Sequence, residues 1–351
     1  MKYLSSIIFT LGLLFLSCSE KGNAQSQAAS NSQIKGLTVA FYNVENLFDI
    51  YDNPEKDDEQ FLPQGEYKWT SEKYVKKLDN LARVIKSMGS NGPDILGIAE
   101  VENKLVLEDL TQLTELKDRK YAIVHEESMD MRGIDVGLIY DPAVFVYTSH
   151  QAFNVEFPEE PDYTSRPVLL VEGKVKQENL YIIVNHWPSR RGGPEESEPR
   201  RLNAAKKVKE VISIIQKKDD DPNILIMGDF NDDPFNKSLV EVLNASSEEN
   251  ANASFFNPMF ALHNPDSSGT LTYRGKWNLF DQILVSKGLM DKTGQLKYIS
   301  QSAAIHNPEF MQVGGDSPAK DMPRRAIYRD EFQEDGFSDH FPVLLKLSVN
   351  K

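Results

Sequence analysis

Short apolar runs recur along the chain from Leu37 onward, and most are followed at once by a polar residue. Runs of this length that are rich in Val, Ile, Phe and Tyr and bounded by Gly, Pro, Asn or Asp are typical of β-strands. A run such as Ile224 to Met227 is apolar at every position, which indicates a strand buried on both faces. The pattern predicts strands at 37–42, 95–99, 121–124, 134–140, 166–171, 180–186, 224–228, 270–274 and 279–286, and a last strand after His340.

Amphipathic segments separate several of these runs. Thr70 and Ser71 can cap a helix whose apolar side chains share one face up to about Met88, where Gly89 supplies a stop. Alternating helices and buried strands indicate an α/β fold. Neither a repeat nor a linker follows residue 36, so one domain is expected over 37–351. The remaining helices are predicted at 106–116, from Arg200 onward and at 237–243, while 305–336 shows no clear element.

The most informative strand end is that of the run 224–228. Gly228 closes the apolar residues, and Asp229 and Asn231 follow two positions apart before Pro234 turns the chain away. If the extended backbone continues that far, both side chains point the same way. A carboxylate beside an amide can hold a hard cation, activate a water and bind a phosphate. An ordinary strand-end turn is the alternative, because Asp, Asn and Pro are common turn residues.

Other polar residues occupy similar places. Glu100 follows the buried run 95–99, where a charge is costly unless it has a partner, and a metal ion would be one. Asn43 taken alone is more simply interpreted as a residue that caps a turn. A lone histidine such as His186 is likewise usually structural. A charge such as Asp135 either lies near a turn or orients a histidine from a nearby strand. The residues that recur at or near strand ends are Asn43, Glu100, His186, Asp229, Asn231, Asp281, Asp339 and His340, and a sheet would gather them on one edge.

The net charge changes what this edge can bind. The chain has 351 residues and a formal charge of -14, which argues against a broad basic surface for nucleic acid. A divalent cation and a few arginines could still hold a phosphate locally, with an affinity sensitive to salt. The arginines available for such a rim are Arg190, Arg191, Arg324, Arg325 and Arg329, which could equally be solvated surface charges.

The N-terminal segment has the composition of an export signal. Residues 1–18 carry an early lysine and an apolar core too short to span a bilayer as a mature helix. Cys18, the only cysteine, follows a small residue as in a bacterial lipoprotein signal, and the chain is therefore expected to be exported and anchored to a membrane by lipid, in the periplasm or at the cell surface. Cleavage after Ala24 would instead discard Cys18 and give a secreted protein. Residues 19–36 resemble a flexible tether.

In their order along the chain, these segments resemble the endonuclease/exonuclease/phosphatase superfamily, which has a DNase-I-like fold. The resemblance covers almost the whole mature domain. It implies a four-layer α/β sandwich, in which two mixed β-sheets pack face to face with helices on both outer sides. The segments that carry it are Phe41-Tyr42-Asn43, Ala99-Glu100-Val101, Gly228-Asp229-Phe230-Asn231, the strand with Asp281, and Ser338-Asp339-His340.

A metal site follows from the resemblance. It makes Glu100 the main metal ligand, with Asn43 and Asp339 nearby. Oxygen ligands of this kind favour Mg²⁺, with Mn²⁺ as a substitute.

The resemblance also implies the catalytic roles. His340, oriented by Asp281, would be the general base or a phosphate contact, and Asp229 would orient or deprotonate the attacking water. His186 matches the second histidine of the DNase-like branch, and a carboxylate at or near Asp135 would support it. The expected phosphate ligands are Asn43, Arg166 and Asn231.

The expected activity is metal-dependent hydrolysis of a phosphoester by in-line attack of water. His186 and Arg166 follow the pattern of the DNase-like branch, which favours a nuclease that cleaves DNA or RNA. The enzyme is expected to be exported and monomeric. One alternative is a phosphatase or phosphodiesterase that acts on small phosphoesters or lipid headgroups, as sphingomyelinases and inositol phosphatases do. Another is a surface binding protein that uses an inactive version of the fold. The fold alone does not choose among these functions.

Overall fold

Two mixed β-sheets face each other in a computed structural model of the protein, which describes residues 36–249, 252–291, 294–317, 319–329 and 331–349. The predicted signal segment 1–18 and nearly all of the tether 19–36 lie outside these residues. The strands are β1 (Leu37–Leu47), β2 (Ile95–Val101), β3 (Ala122–His125), β4 (Asp135–Tyr140), β5 (Val146–Phe153), β6 (Val168–Val175), β7 (Glu178–His186), β8 (Ile224–Asp229), β9 (Ala245–Ser246), β10 (Phe255–Phe256), β11 (Leu271–Tyr273), β12 (Lys276–Asn278), β13 (Asp281–Ser286), β14 (Leu296–Tyr298), β15 (Ala304–Ile305), β16 (Ile327–Tyr328), β17 (Glu331–Phe332) and β18 (Val343–Val349).

The strands form two large sheets and two short hairpins. The first sheet has the order β14-β18-β1-β2-β4-β3, with β15 also paired to β18. The second has the order β5-β6-β7-β8-β13-β10-β9. Both are mixed, because β1 runs parallel to β2 and β7 parallel to β8 while most other pairs are antiparallel. The hairpins are β11-β12 and β16-β17.

Strand periodicity explains the layers. In β1, Val39 and Phe41 point into the core between the sheets, whereas Ala40 and Tyr42 point to the opposite face. Gly97 of β2 allows the sheets to approach, since a Cβ there would lie 2.5 Å from the Met227 sulfur of the facing sheet.

The α-helices of the described chain are α1 (Ser71–Ser87), α2 (Lys104–Gln112) and α3 (Pro194–Gln216), with a short π-helical turn at Ser238–Val242. The apolar faces of α1 and α2 cover the outer face of the first sheet, and α3 covers that of the second. The predicted four-layer α/β sandwich is therefore confirmed. No helix in the described part of the chain is long and apolar enough to cross a membrane.

Some elements differ from the sequence prediction. The edge strand β5 was not predicted, because its residues are largely exposed and carry no buried apolar stripe. Residues 305–336 contain the hairpin β16-β17, whose strands are too short to give a periodic signal. The predicted helix 106–116 begins earlier, at Lys104, because the side chain of Asn103 caps it by accepting from the Val106 N–H, and it ends at Gln112.

Candidate active site

Strand register places three predicted site residues in one row. His186 ends β7 and pairs with Asp229, the last residue of β8. On the other side of β8, Asp229 pairs with Asp281, the first residue of β13. The row lies at one edge of the second sheet, so residues separated by about a hundred positions in the sequence become neighbours.

Glu100 reaches this edge from the first sheet through a β-bulge. The pairing of β2 shifts register between Ala99 and Val101 on both of its sides, and Glu100 has a left-handed φ of 64°. Bulges re-aim a side chain next to functional sites, and a left-handed backbone in a residue other than glycine is held only when its surroundings require it. The Glu100 Oε2 accepts a hydrogen bond of 3.1 Å from the Asn46 N–H, which fixes the carboxylate.

Asn43 joins the two sheets. Its Nδ2 donates to Glu100 Oε1 at 3.2 Å and to Asp229 Oδ2 at 3.0 Å, while its Oδ1 accepts from the Glu45 N–H at 3.0 Å. The side chain is fully buried. Asn43 therefore sets the relative position of the two carboxylates.

His340 is held by a buried carboxylate. Its Nδ1 lies 2.7 Å from Asp281 Oδ2. Its backbone N–H donates to the Ser338 hydroxyl, which itself donates to the Asn43 carbonyl. Burial alone would lower the pKa of His340, but the charges of Asp281 and Asp339 outweigh it and raise the pKa well above the usual value. The imidazolium form is favoured.

Asp229 lies at the centre of the site. Its Oδ2 is 3.7 Å from the His186 Nε2 and 4.0 Å from the His340 Nε2, in addition to its contact with Asn43. Its Oδ1 accepts from the Asn231 N–H at 2.9 Å. Burial raises the pKa of Asp229 to about 7, against the opposing effect of His340. A carboxyl group with such a pKa can gain or lose a proton near neutral pH.

His186 is the electrostatic opposite of His340. Its Nε2 lies 3.8 Å from Glu100 Oε1, and no described residue forms a hydrogen bond with its buried Nδ1. Burial lowers the pKa of His186 well below its usual value, and the charges of Arg166 and Arg132 lower it further. The site thus contains one imidazole that favours the charged form and one that favours the neutral form.

Asp339 is the most accessible carboxylate of this group, with 28% of its side chain exposed. Its Oδ2 accepts from the Arg325 guanidinium at 3.0 Å, and its Oδ1 is 3.8 Å from the His340 Nε2. Arg325 also contacts Glu45, and about half of its side chain is exposed. An arginine is thereby placed at the mouth of the site.

Two predicted phosphate ligands have internal partners. Arg166 is buried, and its guanidinium donates to the carbonyls of His186 and Trp187 and to Asp130. The predicted direct contact of Arg166 with phosphate is therefore corrected: the guanidinium supports the end of β7 from inside. Asn231 uses Nδ2 to donate to the Trp187 carbonyl, which takes one of its two amide hydrogens.

The prediction that Asp135 supports His186 is wrong. The Asp135 Oδ2 lies 3.0 Å from the Nε2 of His125, and its Oδ1 accepts from the Ser128 N–H. Asp135 begins β4 beside β3, so the histidine at the end of β3 is its neighbour.

Sequence reasoning missed the buried residues that support the site. Glu45 accepts hydrogen bonds from the Ala326 and Ile327 N–H groups, and Lys77 of α1 donates to the Phe337 carbonyl. Both side chains anchor the segment that leads to His340. Two signals were available in the sequence: the polar pair of Asn43 and Glu45, two positions apart, and a lysine on the apolar face of α1 at the position before Leu78.

The donor set fits a hard divalent cation. Glu100 offers an oriented and partly exposed carboxylate, and Asp339 offers a second one, whereas Asn43 turns its Nδ2 to Glu100 and its Oδ1 to the Glu45 N–H. Oxygen donors of this kind suit Mg²⁺ better than softer ions. In addition, ligand atoms of Asp229, Asp281 and His340 lie within 4.8 Å of one another, although the His340 Nδ1 is already bonded to Asp281.

Residues 38–349 match the model of a family described as the endonuclease/exonuclease/phosphatase family. The chain belongs to this family, as its sequence motifs predicted. Members of this superfamily are hydrolases that act on phosphoesters and typically depend on a divalent metal ion. No curated protein matches the chain significantly.

Solved structures share the fold at low sequence identity. A zebrafish (D. rerio) TDP2 humanized by 14 mutations is 13% identical with a TM-score of 0.54, over 90% of this chain and 99% of that one. A D. rerio TDP2 in complex with a single-strand DNA product is 12% identical with a TM-score of 0.54, over 90% and 100%. A mannosyl-6-phosphatase from Bacteroides thetaiotaomicron is 15% identical with a TM-score of 0.52, over 89% and 99%. At these identities the similarity shows the fold alone.

Proposed function

We propose that the protein is an exported, Mg²⁺-dependent phosphodiesterase that cleaves nucleic acid by in-line attack of an activated water. The observation that carries this proposal is the position of Asp229. Its Oδ2 lies within 4.0 Å of the amide of Asn43 and of two imidazoles with opposed pKa shifts. Pairs of titratable groups whose pKa values are pushed apart divide acid and base roles between them.

The roles follow from the protonation states. Asp229, with a pKa of about 7, accepts a proton from the attacking water. The imidazolium of His340 lies 4.0 Å away and stabilises negative charge on the phosphoryl oxygens, while Asp281 holds its ring in place. The neutral His186 can donate its Nε2–H to a phosphate oxygen from the opposite side of Asp229.

Glu100 and Asp339 would hold the cation, and Asn43 would orient the Glu100 carboxylate through its Nδ2. Bound Mg²⁺ would supply neutralisation of charge on the phosphate and a lower pKa for a bound water. The fixed geometry of Glu100 means that this ligand pays little ordering entropy on binding. Mn²⁺, which accepts the same oxygen ligands, is the expected substitute.

The surroundings of Asp339 support a nucleic-acid substrate. A cavity of about 620 Å³ is lined by Arg325, Tyr328, Met322 and Asp339, among others. Tyr328 is half-exposed there, and Tyr273 is exposed on the neighbouring hairpin. Aromatic side chains stack on bases, and an arginine beside them can contact a phosphate. The fold is also shared with a TDP2 bound to single-strand DNA.

A small phosphoester is the alternative substrate, and two observations favour it. The same cavity has the volume of an ordinary small-molecule site. The predicted basic rim is also largely neutralised, since Arg190 pairs with Asp232 and Asp233, and Arg324 pairs with Asp335. A mannosyl-6-phosphatase shares the fold, which is consistent with such a substrate.

A panel of substrates separates the nucleic-acid hypothesis from the small-phosphoester hypothesis. Purified protein with Mg²⁺ is incubated with plasmid DNA, single-stranded DNA, RNA, sphingomyelin, inositol phosphates and mannose 6-phosphate, with and without EDTA. Cleavage of a nucleic acid that stops in EDTA is expected. Hydrolysis of only the small phosphoesters would select the alternative, and no hydrolysis of any phosphoester would reject the proposed activity. The monomeric state that we propose is checked by light scattering.

Export and anchoring are proposed from the sequence of the leader. Cys18 would carry the lipid after cleavage of the signal segment. Growth of the host with radiolabelled palmitate should label the wild-type protein and not Cys18→Ala. Equal absence of label in both proteins would leave secretion after cleavage near Ala24 as the explanation.

A further inference from the structure

A second cluster of metal-ligand residue types lies on the first sheet, at the end of β3 and the start of β4. His125 is the last residue of β3, Glu127 follows two positions later, and Asp135 is the first residue of β4. His125 pairs with Gly137 across the antiparallel strands, which puts Asp135 two residues away on the same face. One ligand atom from each of these three side chains lies within 4.8 Å of the other two.

Two buried atoms in this cluster lack hydrogen bonds. The His125 Nε2 and the Asp135 Oδ2 are 3.0 Å apart but misaligned for a hydrogen bond, and neither atom meets the geometry of a hydrogen bond with any described residue, although Glu127 lies beside both side chains. The two side chains are 3% and 1% exposed. Buried polar atoms are nearly always bonded, so such a pair calls for an explanation.

A shared metal ion accounts for this misalignment. Nitrogen and oxygen ligands lie about 2.1 Å from a transition-metal ion. Two ligand atoms that are 3.0 Å apart can both reach one such ion, which would satisfy the His125 Nε2 and the Asp135 Oδ2 together. A direct imidazolium–carboxylate bond would instead align the N–H with the oxygen.

We propose that His125, Glu127 and Asp135 bind a divalent transition-metal ion of the Zn²⁺ type, separate from the catalytic cation. An imidazole with two carboxylates suits Zn²⁺ better than Mg²⁺, which prefers oxygen ligands alone. Asp135 is already oriented, because its Oδ1 accepts a 2.9 Å hydrogen bond from the Ser128 N–H. Partners of this kind fix a ligand in its binding position.

The ion would stabilise the loop between β3 and β4. That loop carries Asp130, which binds the guanidinium of Arg166, and Arg166 in turn holds the carbonyl of His186. An ion at the base of the loop would therefore stabilise a chain of contacts that ends at the catalytic edge. This role is structural and does not depend on which phosphoester is hydrolysed.

The test uses the full chain with its catalytic cation site disabled by Glu100→Gln and Asp229→Asn. Isothermal titration with Zn²⁺ should give one ion per chain and a higher Tm. Adding Glu127→Gln should weaken the affinity at least about 10-fold, because it removes one ligand. Glu126→Gln is the matched control, since it removes the adjacent exposed carboxylate, which contacts His150, and it should leave the affinity unchanged.

A second variant, His125→Gln, should abolish the site, and Co²⁺ should give a visible absorption band only when His125 is present. Because Glu127 is 58% exposed, its substitution leaves the fold intact even if His125→Gln does not fold. No Zn²⁺ binding in the disabled protein, or equal affinity in Glu127→Gln and Glu126→Gln, would overturn the proposal. Either result would assign the contact to a plain histidine–aspartate ion pair.

Discussion

Asp281→Asn tests how Asp281 sets the charge of His340. The substitution keeps the size of a fully buried side chain and removes its charge. In the native protein Asp281 Oδ2 lies 2.7 Å from the His340 Nδ1. An amide at this position still fills the space, but it stabilises an imidazolium far less than a carboxylate does.

The size of the effect follows from this contact. A hydrogen bond to a charged group contributes about 1.5–3 kcal/mol. If the imidazolium stabilises the transition state, losing that bond lowers kcat by about 10- to 150-fold, at 1.36 kcal/mol for each tenfold change. The pKa of His340 falls at the same time. Burial still disfavours the imidazolium, while the negative charge of Asp281, which stabilises it most, is gone. The alkaline limb of the rate profile should therefore move to lower pH.

The assay is the pH dependence of kcat and kcat/KM on bis(p-nitrophenyl) phosphate with saturating Mg²⁺. Glu126→Gln serves as the control, because it removes another 2.7 Å histidine–carboxylate contact at an exposed position outside the site. Circular dichroism and Tm show whether each variant is folded. A folded Asp281→Asn protein with the wild-type rate and an unmoved alkaline limb would refute the proposed role of the pair.

Three further predictions follow from individual contacts. Glu100→Gln should raise the Mg²⁺ concentration for half-maximal rate by about 10-fold or more, because it weakens the main carboxylate ligand; an unchanged Mg²⁺ curve would exclude Glu100 from the metal site. Arg166→Gln should lower the free energy of unfolding by about 1.5–3 kcal/mol, since it removes the charged donor of three buried hydrogen bonds while Asp130 keeps its contact with Arg132. If Arg166 instead contacted substrate, KM would rise without this loss in urea unfolding. Burial holds the pKa of His306 at about 4, below its usual 6.5, so the unfolded chain binds this proton first. The folded state therefore keeps its full stability above pH 6.5 and loses part of it as the pH falls toward 4. His306→Gln should make the free energy of unfolding, measured with urea, depend less on pH across this range.

The fold and the meeting of polar residues at one sheet edge were accessible from the sequence, because apolar runs mark the strands and polar residues mark their ends. Asp229 follows four aliphatic residues and a glycine, and this local pattern requires no tertiary information. The order of the motifs then indicated the family, which the family model confirms. The two sheets and the helices that cover them follow the same periodicity.

The partners of individual side chains were not accessible in the same way. Asp135 could have supported either of two histidines, and only the pairing of β3 with β4 places it against His125. Arg166 lies two residues before β6, at the predicted start of that strand, but its partners are two backbone carbonyls and Asp130, which no sequence pattern marks. The register that aligns His186 with Asp229 is likewise a tertiary property.

The central claim is that Glu100, Asp229 and His340 form one metal-dependent site for phosphodiester hydrolysis. The most direct measurement is the turnover of a fluorophore-labelled single-stranded oligonucleotide and of bis(p-nitrophenyl) phosphate by wild type, Asp229→Ala and His340→Ala, each with Mg²⁺ and with EDTA. Turnover is predicted only for the wild type with Mg²⁺, with both variants folded. Wild-type rates in both variants, or full activity in excess EDTA, would contradict the account.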